Sequence, residues 1–144
     1  MFGELALIGD HPRRTATGWL ENHLMLGAET HAEGPQARGQ YHPVTIHWRL
    51  PDGGVGWLRL VHHGPTQATA SERRLDVECL PHPRRGPQPL RWDSNVRPSE
   101  VTAEQWSFPG LTLLVATDAG PLDAATMVQP PSASGRTRLS LTVP

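Results

Sequence analysis

His47, Arg49, Trp57 and Arg59 carry the side chains best suited to holding a partner, and they fall within a short segment of alternating residues. An indole flanked by guanidinium and imidazole groups offers a stacking surface, forked anion donors and a titratable ring. On a flat β surface that set suits a sugar ring, a base, a carboxylate or another protein. Arg84 and Arg85 follow in His82-Pro83-Arg84-Arg85-Gly86-Pro87. A Pro-bounded loop holds such cations stiffly, so they are expected as rim contacts of the same interface.

Histidine is the second chemical resource, with eight in 144 residues. A metal site, if present, would draw on His31, His42, His62 and His63. The pair His62–His63 is the densest, but neighbours in a strand point to opposite faces and do not readily share an ion. Neither His-x-His nor His-Glu-x-x-His spacing occurs. Solvated or hydrogen-bonded rings are therefore expected, and no cofactor is called for.

Catalytic signals are sparse, and the reading leans away from an enzyme. No Gly-x-Ser-x-Gly stands in the chain. Asp76 and Glu78 share one strand parity opposite Leu75, Val77 and Cys79, so they read as a solvated face and Cys79 as an inert buried thiol. All thirteen basic residues are Arg. Schiff-base lysines and the phosphate-binding lysine of a P-loop are excluded with them.

Arg84, Arg85 and Arg91 with Trp92 interleave cation and aromatic, as do Arg13 and Arg14 with Trp19. Such loops can grip single-stranded nucleic acid. The net charge of −1 supplies no wider basic footprint, so that use is not favoured.

These residues need a scaffold. One cysteine rules out an intrachain disulfide. Fourteen Gly and fifteen Pro favour short strands over long helices. The clearest element is a hairpin. Val44-Thr45-Ile46-His47-Trp48-Arg49-Leu50 alternates with period two, Pro51-Asp52-Gly53 turns, and residues 54–61 return. A three-residue loop with Gly53 left-handed sets Leu50 against Gly54. Val44 then faces Leu60, Ile46 faces Leu58, and Trp48 lies over Gly56. His47 is placed across from Trp57, and Thr45 across from Arg59, on the other side.

Further strands are expected at 2–8, 19–26, 73–80, 111–117 and 137–143, with a short edge at 90–92. Residues 28–43, 81–91 and 118–135 read as loops. Thr102-Ala103-Glu104-Gln105 has capping-box spacing and suggests a short helical segment. His11-Pro12-Arg13-Arg14 recurs at 82–85, but the flanking strands do not align, so chance accounts for it.

The expectation is one mainly β domain over 1–144, an antiparallel β-sandwich or partly open β-barrel with at most one or two short helices. With no secretory leader pattern and no membrane-length apolar run, a cytoplasmic location is expected. The function read from these features is a non-enzymatic module binding a protein partner or forming a homo-oligomer. A His-based metal protein or metal-dependent enzyme and a single-stranded nucleic-acid-binding barrel are the alternatives.

Overall fold

The protein is described here by a computed structural model covering residues 3–8, 14–31 and 42–144. Thirteen strands run through the described residues: β1 (Gly3–Ile8), β2 (Arg14–Glu21), β3 (Leu24–His31), β4 (Val44–Arg49), β5 (Val55–Val61), β6 (Thr66–Ser71), β7 (Arg74–Cys79), β8 (Leu90–Ser94), β9 (Glu100–Val101), β10 (Gln105–Phe108), β11 (Leu111–Thr117), β12 (Val128–Gln129) and β13 (Thr137–Thr142). They form two antiparallel sheets that do not close into a barrel, as in a β-sandwich. One sheet runs β12–β8–β5–β4–β3 and continues through β2 to β1. The other runs β6–β7–β13–β11–β10–β9. A single bridged pair, His31 with Thr66, joins them where β3 passes beyond the β4 ladder.

Alternation builds the core. Leu26, Val44, Ile46, Leu58, Leu60 and Leu90 from the first sheet, and Leu75, Val77, Leu113, Leu139 and Leu141 from the second, are all buried. Aromatic rings close the gap between the layers. Trp48 meets Phe108 with centroids 5.6 Å apart, and Trp92 meets Trp106 edge-on at 5.4 Å. Each buried indole N–H of the first sheet finds an acceptor: Trp48 donates to the Pro109 carbonyl and Trp92 to Gln129 Oε1, both at 2.8 Å. That satisfies polar groups whose burial would otherwise cost about 1–3 kcal/mol each.

The β4–β5 hairpin has the expected register throughout, with His47 opposite Trp57, Thr45 opposite Arg59 and Trp48 opposite Gly56. Gly53 takes φ +91°, and the Leu50 and Gly54 backbones close the turn at 2.8 Å. Gly56 is obligatory: a Cβ there would lie 2.5 Å from Trp48 Cε2.

Other expectations need correction. Residues 19–26 are not one strand but the tip of the β2–β3 hairpin, turned at Asn22-His23 with His23 at φ 66°. The loop expected over 28–43 begins later, because β3 runs to His31; residues 32–41 lie outside the described ones. No helix forms over 99–106. Thr102 Oγ1 does accept from the Glu104 and Gln105 N–H groups, but Thr102 N–H donates to the Gln105 carbonyl and the chain turns from β9 into β10. Residues 90–92 belong to β8, which lies between β5 and β12. Thr66–Ser71 is an unexpected strand. Its outer edge is met by side chains: Thr30 Oγ1 bonds both Ala68 backbone groups, and Thr17 Oγ1 accepts from Ala70 N–H. Of the two His-Pro-Arg-Arg runs, 11–13 lie outside the described residues and 82–85 form a turn closed by His82 and Gly86. Among the described residues no helix is long and apolar enough to cross a membrane.

Candidate functional site

The outer face of the first sheet can be laid out in rows across the strands, since residues paired on neighbouring strands point the same way. One row runs Leu20 (β2), Met25 (β3), His47 (β4) and Trp57 (β5). The next runs Gly18, Gly27, Thr45, Arg59 and Asp93, the last on β8. Arg49 lies beyond the first row, opposite Val55, and Arg91 beyond the second, opposite Val61. The face therefore passes from apolar over β2–β3 to aromatic and cationic over β4–β5–β8. Leu20 and Val55 are large apolar side chains left 50% and 60% exposed.

Trp57 is held from behind. Its N–H donates to Asn95 Oδ1 at 2.8 Å and its carbonyl accepts from Ser94 Oγ at 2.7 Å, while Asn95 Nδ2 reaches the Val55 carbonyl. The Arg59 guanidinium lies 4.2 Å from the centre of the half-buried Trp57 ring. Trp19, Trp48 and Trp92 each donate the indole N–H to a protein acceptor. That of Trp57 has no acceptor among the described residues. His47 is pushed below its ordinary pKa by burial first and by the Arg59 charge second. It therefore stays neutral further into the acid range than a free imidazole.

Arg84 and Arg85, the expected rim, lie in the turn between β7 and β8. Their N–H groups are tied to His82 Nδ1 at 3.0 and 3.1 Å in the β7–β8 connection. That connection enters β8 beside Arg91, opposite Val61, which is four residues or roughly 13 Å along β5 from Trp57.

The four histidines considered for a metal are dispersed in role. His62 is buried, with Nε2 3.1 Å from the Leu80 carbonyl, whereas His63 is exposed. Burial chiefly pushes His62 below its ordinary pKa, with smaller pushes from His63 and His82; the Leu80 and Pro89 carbonyls oppose them. His42 stands just before β4, and its Nδ1, like that of His62, is buried without a hydrogen-bond partner. The His31 side chain lies outside what is described. Among the described residues no three His, Cys, Asp or Glu side chains gather at metal-binding distance. Cys79 is buried and its thiol is pushed up to about 12, mainly by desolvation.

A second polar surface lies on the outer face of the other sheet, an open groove of about 560 Å³ beside Asp76, Glu78, Arg138 and Ser140. Its charges are mutually engaged. Arg74 holds Asp76 at 3.0 Å, Ser140 donates to Asp76 at 2.7 Å, and Arg136 and Arg138 reach Glu78 at 3.5 and 3.3 Å.

A family model described as a domain of unknown function, DUF8770, matches residues 6–111. The chain belongs to the DUF8770 family. The DUF8770 match takes in the Trp57 face entire, from β2 to β8. It stops at the first residue of β11 and so leaves out β13, the strand between β7 and β11. No curated protein and no solved structure matches the chain.

Reasoning from sequence missed Leu20, Met25 and the glycine pair Gly18–Gly27 as parts of this DUF8770 face. They lie on β2 and β3, whose hairpin turn carries no Gly or Pro to announce it. The available signal was the alternation of Leu24, Leu26 and Ala28 on one parity against Met25 and Gly27 on the other.

Proposed function

We propose that the chain is a binding module that engages a protein partner through the outer face of β2–β3–β4–β5–β8. One observation carries this reading: Trp57, clamped by Ser94 and Asn95 and capped by Arg59, stands at the end of a row that continues through His47 and Met25 to the exposed Leu20. An aromatic and an arginine anchor beside exposed apolar area make up the composition of interface hot spots. Rigid backing also supports the reading, because a pre-ordered anchor loses little entropy on association. The test is affinity capture by the immobilised chain and by its Trp57→Ala/Arg59→Ala variant, at matched thermal stability. Proteins retained by the wild type should be lost from the variant. Equal retention by both would place the interface elsewhere.

A further inference from the structure

The second row of that face sets Gly18, Gly27 and Thr45 side by side and ends at Arg59. Its β2–β3 end lies in a trough of about 200 Å³ lined by Ala16, Gly18, Leu20, Met25 and Gly27. Gly27 is not required by the chain itself. Its φ is outside the left-handed region, and a Cβ there would meet nothing closer than the Thr45 carbonyl oxygen at 3.8 Å and Thr45 Cβ at 4.0 Å. A strand-interior glycine without a turn, bulge or internal clash to explain it is a place where something from outside can come close to the backbone.

The row leads from this trough to charge. Arg59 stands at its β5 end, and Arg49 and Arg91 stand on either side of the two rows. None of the three has an ion pair among the described residues. By contrast Arg73, Arg74, Arg136 and Arg138 are each paired with a carboxylate. Among the described residues the acidic groups on this face are Asp93, beyond Arg59 in the same row, and Glu29, which has an interaction of its own. From Gly18 to Arg59 is three inter-strand steps, roughly 14 Å, or about four extended residues.

From this geometry we infer that the row seats a short peptide segment of a partner protein, apolar side chains in the trough over Gly18 and Gly27 and a carboxylate against Arg59. The inference rests on the protein-binding reading above and names the chemistry of the partner. The carboxylate approaches Arg59 from the Thr45 side, because Asp93 occupies the other. The apolar part gains from leaving water, and the Arg59–carboxylate contact fixes direction along the row.

The test uses four labelled probes and the whole chain: a peptide of alternating Leu and Val ending in Asp-Asp-Glu, the same peptide ending in Asn-Asn-Gln, a third with Ser in place of Leu and Val, and an oligothymidylate of matched length. Binding is followed by fluorescence anisotropy. The acidic apolar peptide should bind, more weakly as salt rises, and at least tenfold more tightly than either peptide counterpart. Gly27→Val, which keeps the fold because its side chain points into open trough, should weaken it at least tenfold, as should Arg59→Gln. Circular dichroism melting should show both variants folded. Equal affinity for the Asn-Asn-Gln peptide, no effect of Gly27→Val, or no binding at millimolar peptide overturns the inference. If captured partners still depend on Trp57 and Arg59 in those cases, the protein-binding reading stands without it. Tighter binding of oligothymidylate than of any peptide overturns both.

Discussion

The outer faces of the two sheets carry arginine in different company. Beside β7 and β13, Arg74, Arg136 and Arg138 are held by Asp76 and Glu78, with Ser140 completing the network. Beside β4, β5 and β8, Arg49 and Arg91 reach no carboxylate among the described residues and Arg59 lies on an indole. The paired face has answered its own charge, and such exposed pairs stabilise a fold by only about 0–1 kcal/mol each. The unpaired face retains its charge together with exposed Leu20 and Val55. The same residue type thus serves the chain's own structure on one side and, on the proposed reading, a partner on the other.

The largest expected effect breaks the scaffold of the unpaired face. Gly56→Ala forces a methyl into the Trp48 ring, which is itself packed on Phe108. Overpacking of this kind costs about 1–3 kcal/mol, and the melting temperature of a chain this size should fall by about 2–4 °C per kcal/mol. An unchanged melting temperature would mean that Trp48 does not lie over Gly56, and the row containing His47 and Trp57 would lose its basis.

A smaller effect separates the faces by pH. His47 on one face, and His62 at the end of β5, titrate below their ordinary value in the folded chain. The unfolded chain takes up those protons first as pH falls. Their contribution is therefore full above about 6.5 and is lost as pH drops through the folded values. Asp76 on the other face is also lowered: bonds from Arg74 and Ser140 and the Arg74 charge together outweigh the opposing effect of its partial burial. Its contribution is lost only below about 3.8. Melting temperature against pH should fall in two stages. His62→Gln should reduce the first and Asp76→Asn the second, and a first stage insensitive to His62→Gln would contradict the assignment.

How much of this was written in the sequence depends on side-chain size. The β4–β5 hairpin was legible residue by residue because large apolar groups fill one parity, and Gly56 is the only residue that leaves room for Trp48. Strand β6, Thr-Gln-Ala-Thr-Ala-Ser, was not legible. It buries Thr66, Ala68 and Ala70, small side chains on the edge that β3 approaches, where hydroxyls of Thr17 and Thr30 complete its backbone bonds. Those partners are 38 and 53 residues away and leave no local pattern. Thr102 misled for the opposite reason, since its hydroxyl caps two N–H groups equally well in a β-turn. The Trp57–Arg59–His47 cluster followed from parity alone. The second row did not, because Gly18, Gly27 and Thr45 become neighbours only through ladder registers that the sequence leaves unstated.

Two triple variants with the same change in net charge test the contrast most directly: Arg49→Gln/Arg59→Gln/Arg91→Gln on one face, and Arg74→Gln/Arg136→Gln/Arg138→Gln on the other. Affinity for a captured partner protein should collapse in the first while its melting temperature holds. In the second, affinity should persist while the melting temperature drops by the modest amount that three exposed ion pairs supply. Equal loss of affinity in both would show that net charge alone governs binding, and that the two faces do not differ in the way their arginines suggest.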